Sequence, residues 1–226
     1  MITRSAHNFN DFLCLSEAKG MFINMFIIGI TGGIGCGKST AAQICRETGL
    51  PVIDADELSR EVTAAGGSAM PEIIEKFGPG AADETGALDR QHMARKVFQN
   101  HRALDQLSTI VHNKVIEQIS ASIKKLDEKK TKAVILDVPI PVKHGFIDLC
   151  DQIWVIWASD EIRLQRLALR GMSQEEAKRR MAMQMTRDEY FALATHVLDN
   201  DGSTEELASR IQALLDEELG KRGIRR

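Results

Sequence analysis

Nine residues constrain this chain more than any others. Gly32-Gly33-Ile34-Gly35-Cys36-Gly37-Lys38-Ser39-Thr40 lies between the apolar run Met25-Phe26-Ile27-Ile28-Gly29-Ile30 and the helix-compatible Ala41-Ala42-Gln43-Ile44-Cys45-Arg46. The order reads as strand, phosphate loop, helix, and Gly32, Gly37, Lys38 and Ser39 satisfy the spacing G-x-x-x-x-G-K-[ST]. Glycines let backbone N–H groups turn inward around phosphates without Cβ clashes. A helix beginning near Lys38 aims its positive end at those phosphates, the Lys38 ammonium neutralises β- and γ-oxygens, and the Ser39 hydroxyl is the expected Mg²⁺ ligand. The competing G-x-G-x-x-G dinucleotide pattern, with Asp54 or Asp56 as its acidic partner, fails because Gly33 and Gly35 would then require glycine or alanine where Lys38 stands. A nucleoside triphosphate is the expected ligand.

Beyond the loop, apolar runs of strand length alternate with helical patterns, which predicts an α/β fold with a five-stranded, mostly parallel, doubly wound sheet. The expected strands cover residues 26–31, 51–54, 133–138, 152–158 and 196–199. Residues 57–131 form a long, mostly helical insertion broken by the turn-rich stretch 78–86. It leaves from the carboxyl end of the second strand, where ligands bind in open α/β sheets, and is the best candidate for the acceptor-binding part. Because the first strand begins near Met25, and Met21 and Met25 are both potential starts, residues 1–24 read as an extension outside a domain spanning 25–226. The charged run 124–132 reads as a solvated helix end.

A formal charge of −3 argues against a polyanion-binding protein, so no nucleic-acid partner is expected. Cys14, Cys36, Cys45 and Cys150 lack C-x-x-C spacing and suit a reducing compartment. No apolar run reaches membrane-spanning length, and Asp11 and Glu17 interrupt what a signal peptide would need, so the chain reads as soluble and cytoplasmic. Cys36, beside Lys38 at a helix N-terminus, is in a setting that lowers a thiol pKa and favours reactivity; a small side chain filling a loop position is the simpler alternative.

The acidic positions narrow the chemistry. No N-K-x-D element for guanine is present, since Asn113-Lys114-Val115-Ile116 lacks the aspartate. Val52-Ile53-Asp54-Ala55-Asp56 instead places carboxylates at a strand's end. A carboxylate there can orient an acceptor hydroxyl and take its proton as the P–O bond forms, which is the work of a small-molecule kinase. One of the two aspartates is also suited to capping the next helix, and alternate strand positions would put both on one face. Asp137, ending the apolar run 133–137, is a candidate to hold a Mg²⁺-bound water, with a turn-forming role before Val138-Pro139 equally open. Arg166 and Arg170, four apart after the fourth strand, suit triphosphate oxygens, with Leu164 and Leu167 anchoring the helix. Two other readings stay open: a kinase for another small alcohol or nucleotide, and an ATP-binding regulatory protein that transfers nothing.

Three separated pieces resemble the dephospho-CoA kinase family: Ile30-Thr31 with the loop through Thr40; Val52-Ile53-Asp54-Ala55-Asp56 with Arg60 one turn on; and Val197-Leu198-Asp199-Asn200. The resemblance implies a P-loop kinase fold that phosphorylates the ribose 3′-hydroxyl of dephospho-CoA with Mg²⁺ and ATP, the last step of coenzyme A biosynthesis. It implies Asp56 as the base, with Lys38 and Arg166 acting on the phosphates. ATP would be held by Gly32, Gly33, Ile34, Gly35, Cys36, Gly37, Lys38, Ser39, Thr40, Arg166, Arg170 and Asn200, and the acceptor by Asp56, Arg60 and His112. It also implies a helical lid at 160–190, where Gln184 and Arg187 match a Gln-x-x-Arg pattern. Two departures fall on the acceptor side: Lys143 stands where the family has glutamate, and Asn113 follows His112 where the family has proline.

Overall fold

A six-residue run without polar alternation, such as Phe26–Thr31, is stable as a strand only when both its faces are covered. In the computed structural model, which describes residues 25–98, 100–138 and 146–225, this run is β1, buried along its whole length at the centre of the sheet. The other strands are β2 (Val52–Asp54), β3 (Ala133–Asp137), β4 (Gln152–Trp157) and β5 (His196–Asp199), in the order β2-β3-β1-β4-β5. β1 runs parallel to β3 and β4, and β4 parallel to β5. The expected strands are therefore present, with three of them shorter by one residue than the sequence pattern suggested.

The chain divides into two compact units. One contains residues up to 53 and from 126 onward, and so the sheet; the other is 54–125. In the first, α1 (Lys38–Glu47) and the C-terminal α10 (Thr204–Gly220) supply Ala41, Ile44, Leu207, Ile211 and Leu215 to a core with Ile28, Ile30, Ile135, Trp154 and Ile156. A smaller cluster of Ile153, Val155 and Tyr190 packs with Ile147, Met185 and Phe191, which come from α6 (Phe146–Leu149), the segment before α9 and α9 itself (Arg187–Leu193). Between β4 and α9 lie α7 (Asp160–Leu169) and α8 (Gln174–Ala182), so the segment 160–190 holds these two helices and the start of α9, separated by short non-helical stretches. Lys143 lies outside the described residues, so its departure stays a feature of the sequence alone.

The second unit holds α2 (Ala55–Val62), α3 (Met70–Phe77), a 3₁₀ turn (Pro79–Ala81), α4 (Arg90–Phe98) and most of α5 (His101–Glu128). Lys96 Nζ donates to the Phe77 carbonyl at 2.6 Å and Arg90 Nη2 to Thr63 Oγ1 at 3.1 Å, tying α4 to the chain before it. No helix among the described residues is long and apolar enough to cross a membrane.

At the amino ends of β4 and β5 sits a buried polar network that no sequence motif announces. Gln152 Nε2 donates to Glu218 Oε2 at 2.5 Å, and Trp154 Nε1 donates to Gln152 Oε1 at 3.0 Å. Lys221 Nζ and Arg222 Nη1 reach the Glu218 carboxylate at 2.7 and 2.9 Å, and His196 Nε2 lies 3.5 Å from it. The Lys221 hydrogen bond, followed by those from Gln152 and Arg222, outweighs the opposing effect of burial and brings the Glu218 pKa down to about 2. A depressed carboxylate pKa contributes stability that is present above the unfolded value of about 4.3 and is lost as pH falls toward 2. Glu218→Gln is therefore expected to cost about 1–2 kcal/mol at pH 7, discounted for the exposed lysine, and to flatten the fall of the melting temperature between pH 4.5 and 2. Thermal melts of both proteins across that range check it; identical acid limbs would contradict it.

Candidate active site

Parallel β1 and β3 end side by side, with Ile30 opposite Asp137 in the register. The chain leaving β1 enters the phosphate loop at this level, at the point where the strand order reverses, which is where open α/β sheets bind ligands. Lys38, Ser39 and Thr40 open α1, and Gly37 is its N-cap with φ 92°. Gly37 is required twice. Only glycine adopts that backbone without strain, and a Cβ there would run into Asn200 Nδ2. Gly32 approaches equally closely, because its Cβ would strike the Ile156 carbonyl.

The expected phosphate ligands are gathered around this loop. A cavity of about 230 Å³ is lined by the loop glycines, Lys38 and Ser39, together with Arg170 and Gln184. Lys38 Nζ pairs with Asp137 Oδ1 at 2.6 Å, both side chains largely buried. Asp137 is thus engaged by the loop lysine, a partnership that the register of β1 and β3 creates. Arg166 extends from α7 so that its Nη1 would lie 3.8 Å from a Cβ on Gly37; this nitrogen is buried and makes no hydrogen bond among the described residues. A buried guanidinium nitrogen of that kind is suited to an anion. α7 ends at Leu169, and Arg170, its C-cap, also lines the loop cavity. Of the two expected anchors, Leu167 is fully buried and Leu164 half-buried. Asn200 is buried and donates from Nδ2 to the Cys36 carbonyl at 2.8 Å, so its visible contact is with the loop itself.

Two expectations are corrected. Cys36 is fully buried, and desolvation raises its thiol pKa despite the nearby positive charges of Arg163 and Arg166. Loss of hydration outweighs those charges, so the thiol is not activated, and the role that remains is that of a small residue in a tight loop. The second concerns Asp54 and Asp56. β2 stops at Asp54, whose Oδ1 accepts the N–H groups of Asp56 at 2.9 Å and Glu57 at 3.1 Å, capping α2. Asp56 is consequently in the first helical turn, and the strand-face argument for the pair does not apply. Its side chain is exposed and makes no hydrogen bond or ion pair among the described residues.

On the unit 54–125, Arg60 is exposed on α2, and His112 is half-buried on α5, where burial lowers its pKa and favours the neutral imidazole. Arg163 is the residue that sequence reasoning passed over. It is 4 % exposed, its Nε donates to the Ile34 carbonyl at 3.0 Å, and its Nη1 pairs with Asp160. Gln184 also reaches the loop, its Oε1 accepting the Ile34 N–H at 2.8 Å. The available signal was helical spacing: Arg163 shares the face of buried Leu167, and an arginine on a buried face must have partners.

Hard oxygen donors suited to Mg²⁺ are present in the Ser39 hydroxyl and the Asp137 carboxylate. Among the described residues no group of three His, Cys, Asp or Glu side chains assembles to hold a metal. That set fits an ion held by one or two protein oxygens with phosphate oxygens and water completing the shell.

A parallel sheet in this order, with a G-x-x-x-x-G-K-S loop after its central strand and an arginine-bearing helix after the neighbouring one, defines a P-loop kinase. The family model described as dephospho-CoA kinase matches residues 26–206. A dephospho-CoA kinase of Carboxydothermus hydrogenoformans is 37 % identical over 190 residues, covering 84 % of this chain and 92 % of its own. One from Geobacillus kaustophilus is 39 % identical over 189 residues, covering 83 % and 94 %. Among solved structures, TT1252 from Thermus thermophilus aligns with a TM-score of 0.71 at 34 % identity, covering 86 % of this chain and 98 % of that one. Dephospho-CoA kinase from Campylobacter jejuni shares the fold at TM-score 0.60 and 24 % identity, covering 84 % and 96 %. The chain belongs to the dephospho-CoA kinase family.

Proposed function

We propose that this chain transfers the γ-phosphoryl group of ATP to the ribose 3′-hydroxyl of dephospho-CoA, giving coenzyme A and ADP. The observation that carries the transfer chemistry is Arg166 Nη1 on α7, buried and without a hydrogen bond among the described residues, beside Gly37 of the loop that presents Lys38. Charge spreads over the phosphoryl oxygens in the transition state, and fixed cations at that place are what such a reaction requires. The acceptor is supported by the names of the relatives and by the length of chain they share.

In this reading Asp56 accepts the proton of the 3′-hydroxyl as its oxygen forms the new bond to the γ-phosphorus, and the bond from that phosphorus to the β,γ-bridging oxygen breaks. The loop N–H groups and Lys38 hold the β- and γ-phosphates; Arg166 and Arg170 add positive charge, with Thr40 following at the start of α1. Asn200 keeps the loop in shape through the Cys36 carbonyl. Ser39, and Asp137 through water, would hold Mg²⁺, which when bound supplies charge neutralisation on the phosphates. Arg60 and His112 are the proposed acceptor contacts, and a cytoplasmic setting suits both substrates. Purified chain with Mg-ATP and equal concentrations of dephospho-CoA, AMP and adenosine tests the reading. Coenzyme A should dominate the products by mass spectrometry, and preferential phosphorylation of AMP or adenosine would refute the acceptor.

A further inference from the structure

Ile34 lies in the middle of the phosphate loop, and both of its backbone polar groups are taken by side chains from residues 160–190. Gln184 Oε1 accepts its N–H at 2.8 Å, and Arg163 Nε donates to its carbonyl at 3.0 Å. Arg163 is itself fixed from two more sides: Nη1 bonds Asp160 Oδ1 at 3.0 Å, and the guanidinium lies 4.9 Å from the Trp157 ring centre. The neighbouring glycines fit around it. A Cβ on Gly33 would come within 2.8 Å of Arg163 Nη2, and one on Gly35 within 3.0 Å of the Arg163 carbonyl oxygen. Thus Gly33, which the G-x-x-x-x-G-K-[ST] spacing leaves open, makes room for the Arg163 guanidinium, and Gly35, with φ 81°, makes room for the main chain at Arg163.

A buried arginine is costly to desolvate, and an apolar residue would fill the same space at lower cost. Its retention at this point calls for a task that only a forked donor performs. We propose that Arg163 and Gln184 are positioning residues for phosphoryl transfer: by holding the Ile34 amide and carbonyl they fix the loop against α7, so that the loop N–H groups and Arg166 are set for the triphosphate together. The proposal rests on the kinase reading given above. It concerns ATP binding and leaves the acceptor outside its reach.

The test is the ATP dissociation constant by titration calorimetry for the wild-type chain, Arg163→Lys, Gln184→Leu, the double variant and Gly33→Ala, with the melting temperature of each. Lysine keeps the charge of Arg163 but not the Nε–H, and Gly33→Ala displaces the guanidinium without removing it. Each single change should weaken ATP binding about tenfold, the scale of one net hydrogen bond. Both side chains hold one residue, so the double variant should lose about twentyfold, not the roughly hundredfold of independent sites. The KM for dephospho-CoA should stay within about twofold. A lower melting temperature with unchanged ATP affinity would mean a merely structural role and overturn the proposal, as would a multiplicative double variant. If Arg163→Lys does not fold, Gln184→Leu and Gly33→Ala still decide it. A wild-type chain that binds ATP yet makes no coenzyme A would remove the acceptor assignment and leave this positioning role standing.

Discussion

Asp56→Asn is expected to lower kcat by about 10²–10⁴-fold while leaving the ATP dissociation constant within about twofold. The two halves of that result have separate reasons. Asparagine matches aspartate in shape but cannot take a proton from the acceptor hydroxyl, so the loss falls on the chemical step. In the proposed reaction ATP is held by the loop and its arginines, and the start of α2 is secured by Asp54, whose carboxylate accepts the Asp56 and Glu57 N–H groups. The cap therefore survives replacement of Asp56, which gives up only the small favourable charge at the start of α2. Pre-steady-state phosphoryl transfer alongside calorimetric ATP titration separates the terms. An Asp56→Asn enzyme with wild-type kcat would show that another group takes the proton.

Lys38→Met should be nearly as damaging to turnover, and it should act on stability as well. Loss of a preorganised charge on the transferring phosphoryl group is worth about 10²–10³-fold in kcat. Lys38 also pairs with Asp137 at 2.6 Å, and Asp137 is only 2 % exposed. Removing the cation takes the 2.6 Å ion-pair partner from a buried carboxylate, at about 3–5 kcal/mol. The double variant Lys38→Met with Asp137→Asn should regain most of that stability by removing the charge that Lys38 balanced and should regain no activity. Urea unfolding and steady-state kinetics on the three proteins test both statements; recovery of turnover in the double variant would contradict the catalytic assignment of Lys38.

The parts of the architecture legible from sequence are those with a local cause. β1 declares itself by an unbroken apolar run, and the loop by glycines whose positions are dictated by close approach to Ile156 and Asn200. Arg166 and Arg170 were legible as positive charge after β4, and Arg166 on α7 and Arg170 at its C-cap both lie by the loop. Cys36 shows where local reasoning reverses sign. The helix N-terminus and Lys38 are visible in the sequence, whereas the burial that raises the thiol pKa is produced by the whole fold. Arg163 was missed because an isolated arginine is ordinarily a solvated one: Asp160 is a local i,i+3 partner on α7, but Ile34 and Trp157 meet Arg163 only after α7 docks beside the loop. The Glu218 network was only half legible: Lys221 and Arg222 follow Glu218 at i,i+3 and i,i+4, whereas Gln152 and His196 reach it only through the parallel strands and the last helix.

The central claim is that this chain phosphorylates one particular hydroxyl, and the structure of the product tests it most directly. Incubation of the purified chain with Mg-ATP and dephospho-CoA, followed by phosphorus NMR and mass analysis, should give coenzyme A carrying the new phosphate on the ribose 3′-oxygen, with one ADP formed per molecule. Phosphate on another oxygen, or ADP accumulating without coenzyme A, would contradict it.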